Sequence, residues 1–239
     1  MWRSLTAAAA MALSVSLPAA GGAFAVAPIR VELQRGEKTA VLTVHNETDT
    51  ETLIQVRPVL WSQQGGAEQF EDSRDLLVTP PIFTLAPRGE QIIRVALRRA
   101  ADPARELSYR LLVQEVPRAA SQGQSQLMVA LRLSLPVFVL PPATAGASLT
   151  WDAVWLPNGK LEMHATNGGA AHIQVTDFDL QFGSGSPAHG ASGSQYVLPG
   201  SHGTWTITVP AFVDKNAEIT VHGHSDRGDF VAQVAHVTS

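Results

Sequence analysis

The chain has 239 residues, no cysteine and a formal net charge of −4. Without cysteine no disulfide supports the fold, so a packed core must do so, and 45% hydrophobic residues suffice to build one. A mildly acidic chain has no general affinity for nucleic acid or for anionic membranes. The length allows one large domain or two small ones.

Residues 1–25 have the layout of a signal peptide. A positive start is followed by a short apolar run and by Ala23-Phe24-Ala25, a pattern that signal peptidase accepts. The apolar run is shorter than the roughly 20 residues that cross a bilayer. We expect residues 1–25 to be removed, the mature chain to begin at Val26, and no membrane insertion.

Hydrophobic residues then recur at every second position, which is the period of a half-buried β-strand. Pro58 interrupts one such segment and predicts a sheet edge or a bulge. The Gly- and Ser-rich segment 183–194 predicts a flexible loop. Strands are predicted at residues 39–46, 53–61, 91–98, 109–116, 148–155, 161–167, 173–182, 203–209, 218–224 and 231–237. This spacing favours an all-β sandwich fold.

The longest alternation lies within residues 127–139. Its aliphatic row consists of Leu127, Val129, Leu131, Leu133, Leu135 and Val137. Strands typically have about 5–6 residues, so a longer row either serves a partner or forms the core strand of its own sandwich. Left uncovered it would promote aggregation unless the chain caps itself or dimerises.

Pro141-Pro142 opens a stretch ending at Gly146 that we interpret as a hinge. It divides the mature chain into two predicted β domains, residues 26–141 and 146–239.

Ordered motifs in the N-terminal half resemble the periplasmic chaperones of chaperone–usher pilus assembly. They are Pro28-Ile-Arg30-Val, Leu42-Thr-Val-His-Asn46, Val78-Thr-Pro80-Pro81-Ile-Phe83, Gln91-Ile-Ile-Arg94, Glu106-Leu-Ser-Tyr109-Arg110, Glu115-Val-Pro117 and Leu131-Arg-Leu-Ser-Leu-Pro136-Val-Phe138-Val-Leu-Pro141. The last motif, with Trp61 followed by Gln63 and Gly65, looks closer to the archaic branch of this family.

The resemblance implies two immunoglobulin-like β-sandwich domains in a boomerang arrangement with an interdomain cleft. It implies that the row at 127–137 stabilises pilus or fimbrial subunits by donor-strand complementation, and that the subunits are delivered to an outer-membrane usher. Strand exchange would release the subunit, without an enzyme activity or a cofactor.

Arg30 stands where the family has a cleft arginine for the subunit's terminal carboxylate. A guanidinium suits this role because it donates two parallel hydrogen bonds to one carboxylate. The better-known branches add a lysine on the donor strand, but Pro136 stands at that position here. Either Arg94 or Arg132 replaces the lysine or Arg30 acts alone, and both candidates also fit solvated charges or interdomain salt bridges.

Two other functions stay open on the sequence alone. A self-contained immunoglobulin-like structural or adhesive module would bury the 127–137 row in itself. A carbohydrate-active β-sandwich enzyme would need two facing carboxylates, although the usual motifs of hydrolases, nucleotide-binding proteins and zinc proteases are missing. His222 and His224 lie two positions apart on one predicted strand and could share a face. Two ligands alone make a poor zinc site, so no metal is expected.

Overall fold

The computed structural model describes residues 24–117, 130–141, 144–157, 159–185, 188–210 and 213–238, with the backbone alone at 188 and 189. Within these ranges all the secondary-structure elements are β-strands, and no helix is long and apolar enough to cross a membrane. The predicted all-β class is confirmed.

The strands follow in chain order. They are β1 (Phe24–Ala27), β2 (Val31–Leu33), β3 (Thr39–Asn46), β4 (Thr52–Gln64), β5 (Ala67–Asp72), β6 (Leu76–Thr79), β7 (Ile82–Leu85), β8 (Glu90–Leu97), β9 (Leu107–Glu115), β10 (Arg132–Val139), β11 (Leu149–Trp155), β12 (Lys160–Asn167), β13 (Ile173–Phe182), β14 (Ala188–Val197), β15 (His202–Thr208), β16 (Ile219–Ser225) and β17 (Gly228–Thr238).

Strands β1 to β10 form two sheets around one core. One sheet has the order β1-β3-β8-β6, and the other has the order β2-β10-β9-β4-β5, with β7 also paired to β4. Alternate side chains of both sheets point inward, as the period of two requires. Fully buried examples are Leu33, Leu42, Ile54, Ile93 and Leu111.

Strands β11 to β17 form a seven-stranded sheet in the order β14-β13-β16-β17-β11-β12-β15. It encloses a second core that includes Trp151, Leu161, Met163, Phe178 and Val221. In the described ranges, no strand of the first group pairs with a strand of the second. The break in pairing falls between β10 and β11, where the sequence predicts the hinge.

Pro58 lies where β4 changes partner. On one edge β4 pairs with β9, while its other edge pairs with β7 over residues 52–55 and with β5 over residues 59–64. Pro58 falls in the gap between these two pairings, where the missing N–H breaks no ladder. The proline therefore marks a local edge inside a long strand.

The prediction of a flexible loop at 183–194 is wrong in its second half, because β14 pairs with β13 there. A Cβ at Gly190 would lie 2.8 Å from the Phe178 ring. Gly190 thus lets β14 pass close to a buried aromatic ring. At this position the glycine that suggested a loop serves close packing.

Strand β1 contains residues that cleavage after Ala25 would remove. Phe24 is 4% exposed in the N-terminal core and pairs with Asn46 of β3. Loss of a buried phenylalanine side chain costs about 3–5 kcal/mol, so we predict that the mature chain retains Phe24. Intact-protein mass spectrometry of the exported protein should place the first residue at or before Phe24. A chain that begins at Val26 and is fully stable would contradict the role of Phe24 in the core.

Candidate functional site

Strand β10 is paired along its whole length on one edge but only at its end on the other. It pairs antiparallel with β9 from Arg132 to Val139, and parallel with β2 only from Val137 to Val139. Within the described ranges, residues 132–136 therefore have one unpaired edge. Such an edge offers backbone N–H and C=O groups to a further strand.

The predicted aliphatic row changes its environment along β10. Val137 is fully buried and Leu135 is 6% exposed, and both lie in the core of the N-terminal half. Leu131 and Leu133 are half-buried at the rim of that core. Leu127 and Val129 lie outside the described residues. The strand is thus anchored in its own core at one end, and the row becomes more exposed toward the other.

Arg30 lies immediately before β2, in a cleft between the two halves. Its Nη1 donates to Asp226 Oδ2 at 2.8 Å, and its Nε lies 3.2 Å from Glu32 Oε1. Burial lowers the pKa of Arg30, but the hydrogen bond to Asp226 and the charge of Glu32 outweigh this effect and raise it. The guanidinium therefore already holds a carboxylate that comes from the other half of its own chain.

A surface cavity of about 280 Å³ adjoins this ion pair. Its lining residues are Arg30, Glu32, Gln34, Leu140, Asp226 and Arg227. Since two guanidinium groups and two carboxylates share the cavity, a further carboxylate entering it would compete with the internal ones.

The structure does not bring Arg94 or Arg132 to Arg30. Arg94 is exposed on β8 of the opposite sheet, where its neighbours Ile93 and Val95 point into the core and its own side chain points away from it. Arg132 is four positions from Pro136 along β10, about 13 Å at the rise of a strand. Neither placement supports a role as the second cation.

Arg110 of β9 is a cation that the sequence analysis did not single out. It pairs directly with Pro136, and opposed residues of an antiparallel pair point to the same face. Its side chain is only 11% exposed and forms an ion pair with Glu68 at 3.2 Å. Its Nε is buried without a hydrogen-bond partner among the described residues. Arg110 thus lies directly opposite Pro136, the position at which the resemblance predicted a lysine.

Aromatic side chains hold Arg110 in position. Its guanidinium carbon lies 3.7 Å from the ring centroid of Trp61 and 5.5 Å from that of Tyr196. Burial lowers the pKa of Arg110, and Glu68 offsets this only in part. Burial also raises the pKa of Tyr196, while the charges of Arg30 and Arg110 lower it. Tyr196 of the C-terminal half therefore lies within the electrostatic influence of both guanidinium groups.

Trp61 belongs to a small apolar cluster that joins the two halves. Trp61 and Phe138 from the N-terminal half pack with Leu198 and Tyr196 from the C-terminal half. Next to it, the Gln63 side chain donates to the Tyr196 carbonyl at 2.7 Å and accepts from the Leu198 N–H at 2.9 Å. The sequence motif of Trp61 and Gln63 thus corresponds to an interface between the halves.

We predict that Trp61→Ala lowers the free energy of unfolding by about 3–5 kcal/mol, because the buried ring fills the space between the halves. Phe70→Ala on the neighbouring strand β5, where the ring is 47% exposed, is the control and should cost less than about 1 kcal/mol. Urea denaturation of both variants measures the difference. Equal effects would show that the cluster does not stabilise the protein.

The described residues contain no group of three or more His, Cys, Asp or Glu side chains that could hold a metal ion. His222 Nε2 bonds to Gln181 Oε1 at 2.8 Å, while His224 Nδ1 bonds to Asp177 Oδ1 at 2.7 Å. The rings of His222 and His224, two positions apart on β16, thus have separate hydrogen-bond partners.

An open strand edge beside an interdomain cleft with a buried cation defines a protein of the strand-binding class. A family model described as "Pili and flagellar-assembly chaperone, PapD N-terminal domain" matches residues 23–145, just over half of the chain. The chain belongs to this family of pilus-assembly chaperones. Family membership supports the chaperone over the self-contained adhesive module.

Two curated relatives support the assignment over nearly the full length. The chaperone protein LpfB of Salmonella typhimurium is 26% identical over 222 residues, which cover 89% of each chain. The probable fimbrial chaperone LpfB of Escherichia coli O157:H7 is 26% identical over 240 residues, covering 98% of this chain and 97% of the relative.

Solved structures share the fold. CsuC, from the chaperone–tip subunit complex of archaic Csu pili of Acinetobacter baumannii, matches with a TM-score of 0.69 and 19% identity over 90% of this chain and 99% of that chain. The periplasmic chaperone SfaE matches with a TM-score of 0.56 and 20% identity over 90% and 99% of the two chains. The arrangement of two immunoglobulin-like domains is therefore common to this chain and these proteins.

Proposed function

We propose that the protein captures pilus subunits in the periplasm by adding β10 to a subunit's sheet, and that it delivers them to an outer-membrane usher. The observation that carries the proposal is the unpaired edge of residues 132–136, next to the half-buried Leu131 and Leu133. CsuC with the tip subunit CsuE, and SafB with the SafA pilin of Salmonella enterica, are solved complexes of similar chaperones with subunits.

The aliphatic row divides into two parts with different tasks. Leu127, Val129, Leu131 and Leu133 enter the groove of the subunit, and Leu135 and Val137 hold the strand in its own core. Each apolar side chain that becomes covered contributes about 1.5–3 kcal/mol before the costs of association. Main-chain hydrogen bonds along the open edge add affinity with little demand on the subunit's sequence.

The terminal carboxylate of the subunit binds at Arg30, with Arg110 as the second cation. The Arg30 side chain already binds a carboxylate in the free protein, since its Nη1 donates to Asp226 Oδ2 at 2.8 Å. Arg110 supplies a buried N–H without a partner among the described residues, and the proline opposite it has no donor of its own. The subunit's carboxylate displaces or joins Asp226 on entering the cleft.

Release follows from exchange with a better-fitting strand, so the function requires no enzyme activity and no cofactor. The proposed leader accounts for the periplasmic location. A second copy of the chain that covers the same edge, as a self-capping dimer, would compete with the subunit. The likeness to CsuC of the archaic Csu pili favours the archaic branch.

Pull-down of the tagged mature protein from periplasm, with partners identified by mass spectrometry, tests capture. We expect a small β-rich subunit recovered one-to-one that is insoluble without this chain. A monomer that recovers no partner, even with candidate subunits co-expressed, would contradict the proposal.

Acidic substitutions on β10 separate strand donation from folding. We predict that Leu131→Asp and Leu133→Asp reduce recovery of the subunit at least about tenfold, because a carboxylate in an apolar groove costs more than about 1.4 kcal/mol. Thermal unfolding of the free variants should change little, since both side chains are only half-buried.

Two other positions serve as controls. Ile92→Asp changes a side chain that is 53% exposed on β8 of the other sheet and should retain capture, while Leu135→Asp, where the side chain is 6% exposed, should unfold the N-terminal half. If Leu131→Asp unfolds the protein as Leu135→Asp does, residue 131 serves the core and not the subunit.

The carboxylate anchor is tested with the subunit recovered above, in its natural form and with its C-terminal carboxylate amidated. We predict that Arg30→Gln and Arg110→Gln each weaken binding of the natural form and leave binding of the amidated form unchanged, because only the former carries the charge. Titration calorimetry measures both affinities. Equal losses for the two forms would mean that these arginines shape the cleft without binding the carboxylate.

A further inference from the structure

A buried histidine connects the two halves between two carboxylates. His172, immediately before β13, has its Nδ1 at 2.9 Å from both carboxylate oxygens of Glu106, immediately before β9. On the other side of the ring, Nε2 lies 3.6 Å from Asp226 Oδ2. The side chains of Glu106 and His172 are 0% and 1% exposed, so water does not screen this contact.

The geometry restricts the protonation state of the ring. An ionised carboxylate only accepts hydrogen bonds, and a neutral imidazole has one N–H and one lone pair. A neutral His172 would therefore point a lone pair at one of its two carboxylates inside the protein. Only the imidazolium presents an N–H to both Glu106 and Asp226.

The remaining groups around the ring fit a cation as well. The Phe138 ring of β10 stacks on it, with the centroids 3.5 Å apart and the planes at 9°, and an aromatic face attracts a positive charge. Arg30 bonds to Asp226 from the N-terminal half, and Arg227 donates to the His172 backbone carbonyl. Tyr196 of β14 lies 5.7 Å away, ring to ring.

Charge balance leads to the same result. The two carboxylates around His172 face one guanidinium, Arg30, through Asp226, whereas Arg227 reaches only a backbone oxygen. Glu32 also contacts Arg30 at 3.2 Å, so three carboxylates share Arg30 and the ring, and a protonated ring leaves one negative charge in the group. A neutral ring leaves two, at a mostly buried site, which is more unfavourable.

We propose that His172 is a cation in the folded protein and acts as a pH-sensitive clamp between the two halves. It ties Glu106 of the N-terminal half to Asp226 of the C-terminal half, and it fixes the Asp226 carboxylate on which Arg30 rests. Through Phe138 it also fixes the end of β10. Deprotonation loosens the cleft at the point where the strand and the arginine meet.

The pKa values agree with this geometry. Burial lowers the pKa of His172, but Asp226 and Glu106 outweigh it, and the pKa is raised. Burial raises the pKa of Asp226, but the nearby His172 ring, together with hydrogen bonds from the Gln174 N–H and Arg30, outweighs it and lowers the pKa to about 2.

The sign of the pH dependence follows from the raised pKa of His172. Its stabilising effect is complete below the unfolded value of about 6.5 and is lost as the pH rises through the folded value. Over that window the unfolding equilibrium constant rises by up to about tenfold per pH unit. Asp226 acts in a different window, because its contribution is lost only as the pH falls below about 4.

The test compares the free protein with His172→Gln and with His236→Gln, which changes an exposed histidine of β17. Denaturant unfolding is measured from about pH 6 to about pH 9, around the ordinary histidine pKa. We expect wild type and His236→Gln to lose stability as the pH rises, and His172→Gln to be less stable at the acid end and flatter. An unchanged profile in His172→Gln would overturn the proposal.

A second measurement uses the wild-type protein, so it tests the proposal even if His172→Gln fails to fold. In 15N-histidine-labelled protein at neutral pH, an imidazolium gives two similar ring-nitrogen shifts, whereas a neutral ring gives two widely separated ones. Similar shifts for His172 support the clamp, and separated shifts contradict it. Neither experiment requires a subunit, so its outcome is independent of the proposed capture function.

Discussion

The structure depends on one strand that must be firmly held and partly unpaired at the same time. Successive side chains of β10 point to opposite faces of the sheet, so the end of the strand packs on two different surfaces. Val137 and Val139 lie in the core of the N-terminal half, while Phe138 between them packs on Trp61, Leu198 and His172. Both faces of the strand are buried here, where β2 also pairs with its last residues, and within the described ranges the edge before them stays unpaired.

The contacts between the halves give the cleft its fixed form. Aromatic packing around Trp61, the hydrogen bonds of Gln63 and the charged group around His172 all lie next to β10. Groups held by packing lose little further freedom on binding, and this preorganisation favours affinity. Arg110 illustrates the point, since the Trp61 ring and Glu68 hold its guanidinium on the face where Pro136 contributes no charge.

Local sequence patterns predicted the parts of the fold that depend on period alone. The bounds of β3 and β13 agree with the predicted ones, because each strand has a clear alternation of buried and exposed residues. The same reasoning missed β14, since its many small residues give no apolar pattern and only the structure shows Gly190 against Phe178. The short strands β1, β2, β6 and β7 depend on pairing with distant partners that no local pattern reveals.

The candidate site could be predicted from the sequence only in part, because local patterns do not show which strands pair. Motif order predicted Arg30 and the aliphatic row as binding residues, but residue type alone could not show that Arg110 and not Arg94 lies opposite Pro136. That choice depends on which sheet each strand joins and on the register of β9 against β10. The link between Glu106 and His172 joins residues 66 positions apart, so only the tertiary structure reveals it.

The central claim is that β10 acquires a strand partner on its open edge when a subunit binds. Hydrogen exchange of the protein, free and in complex with the subunit recovered from periplasm, measures this directly. We predict that the amides of Arg132 and Ser134, which point to the open edge, exchange quickly in the free protein and become protected in the complex, while the amides of β10 that already pair with β9 or β2 change little. Unchanged exchange in these residues, with protection appearing on another surface, would contradict strand addition.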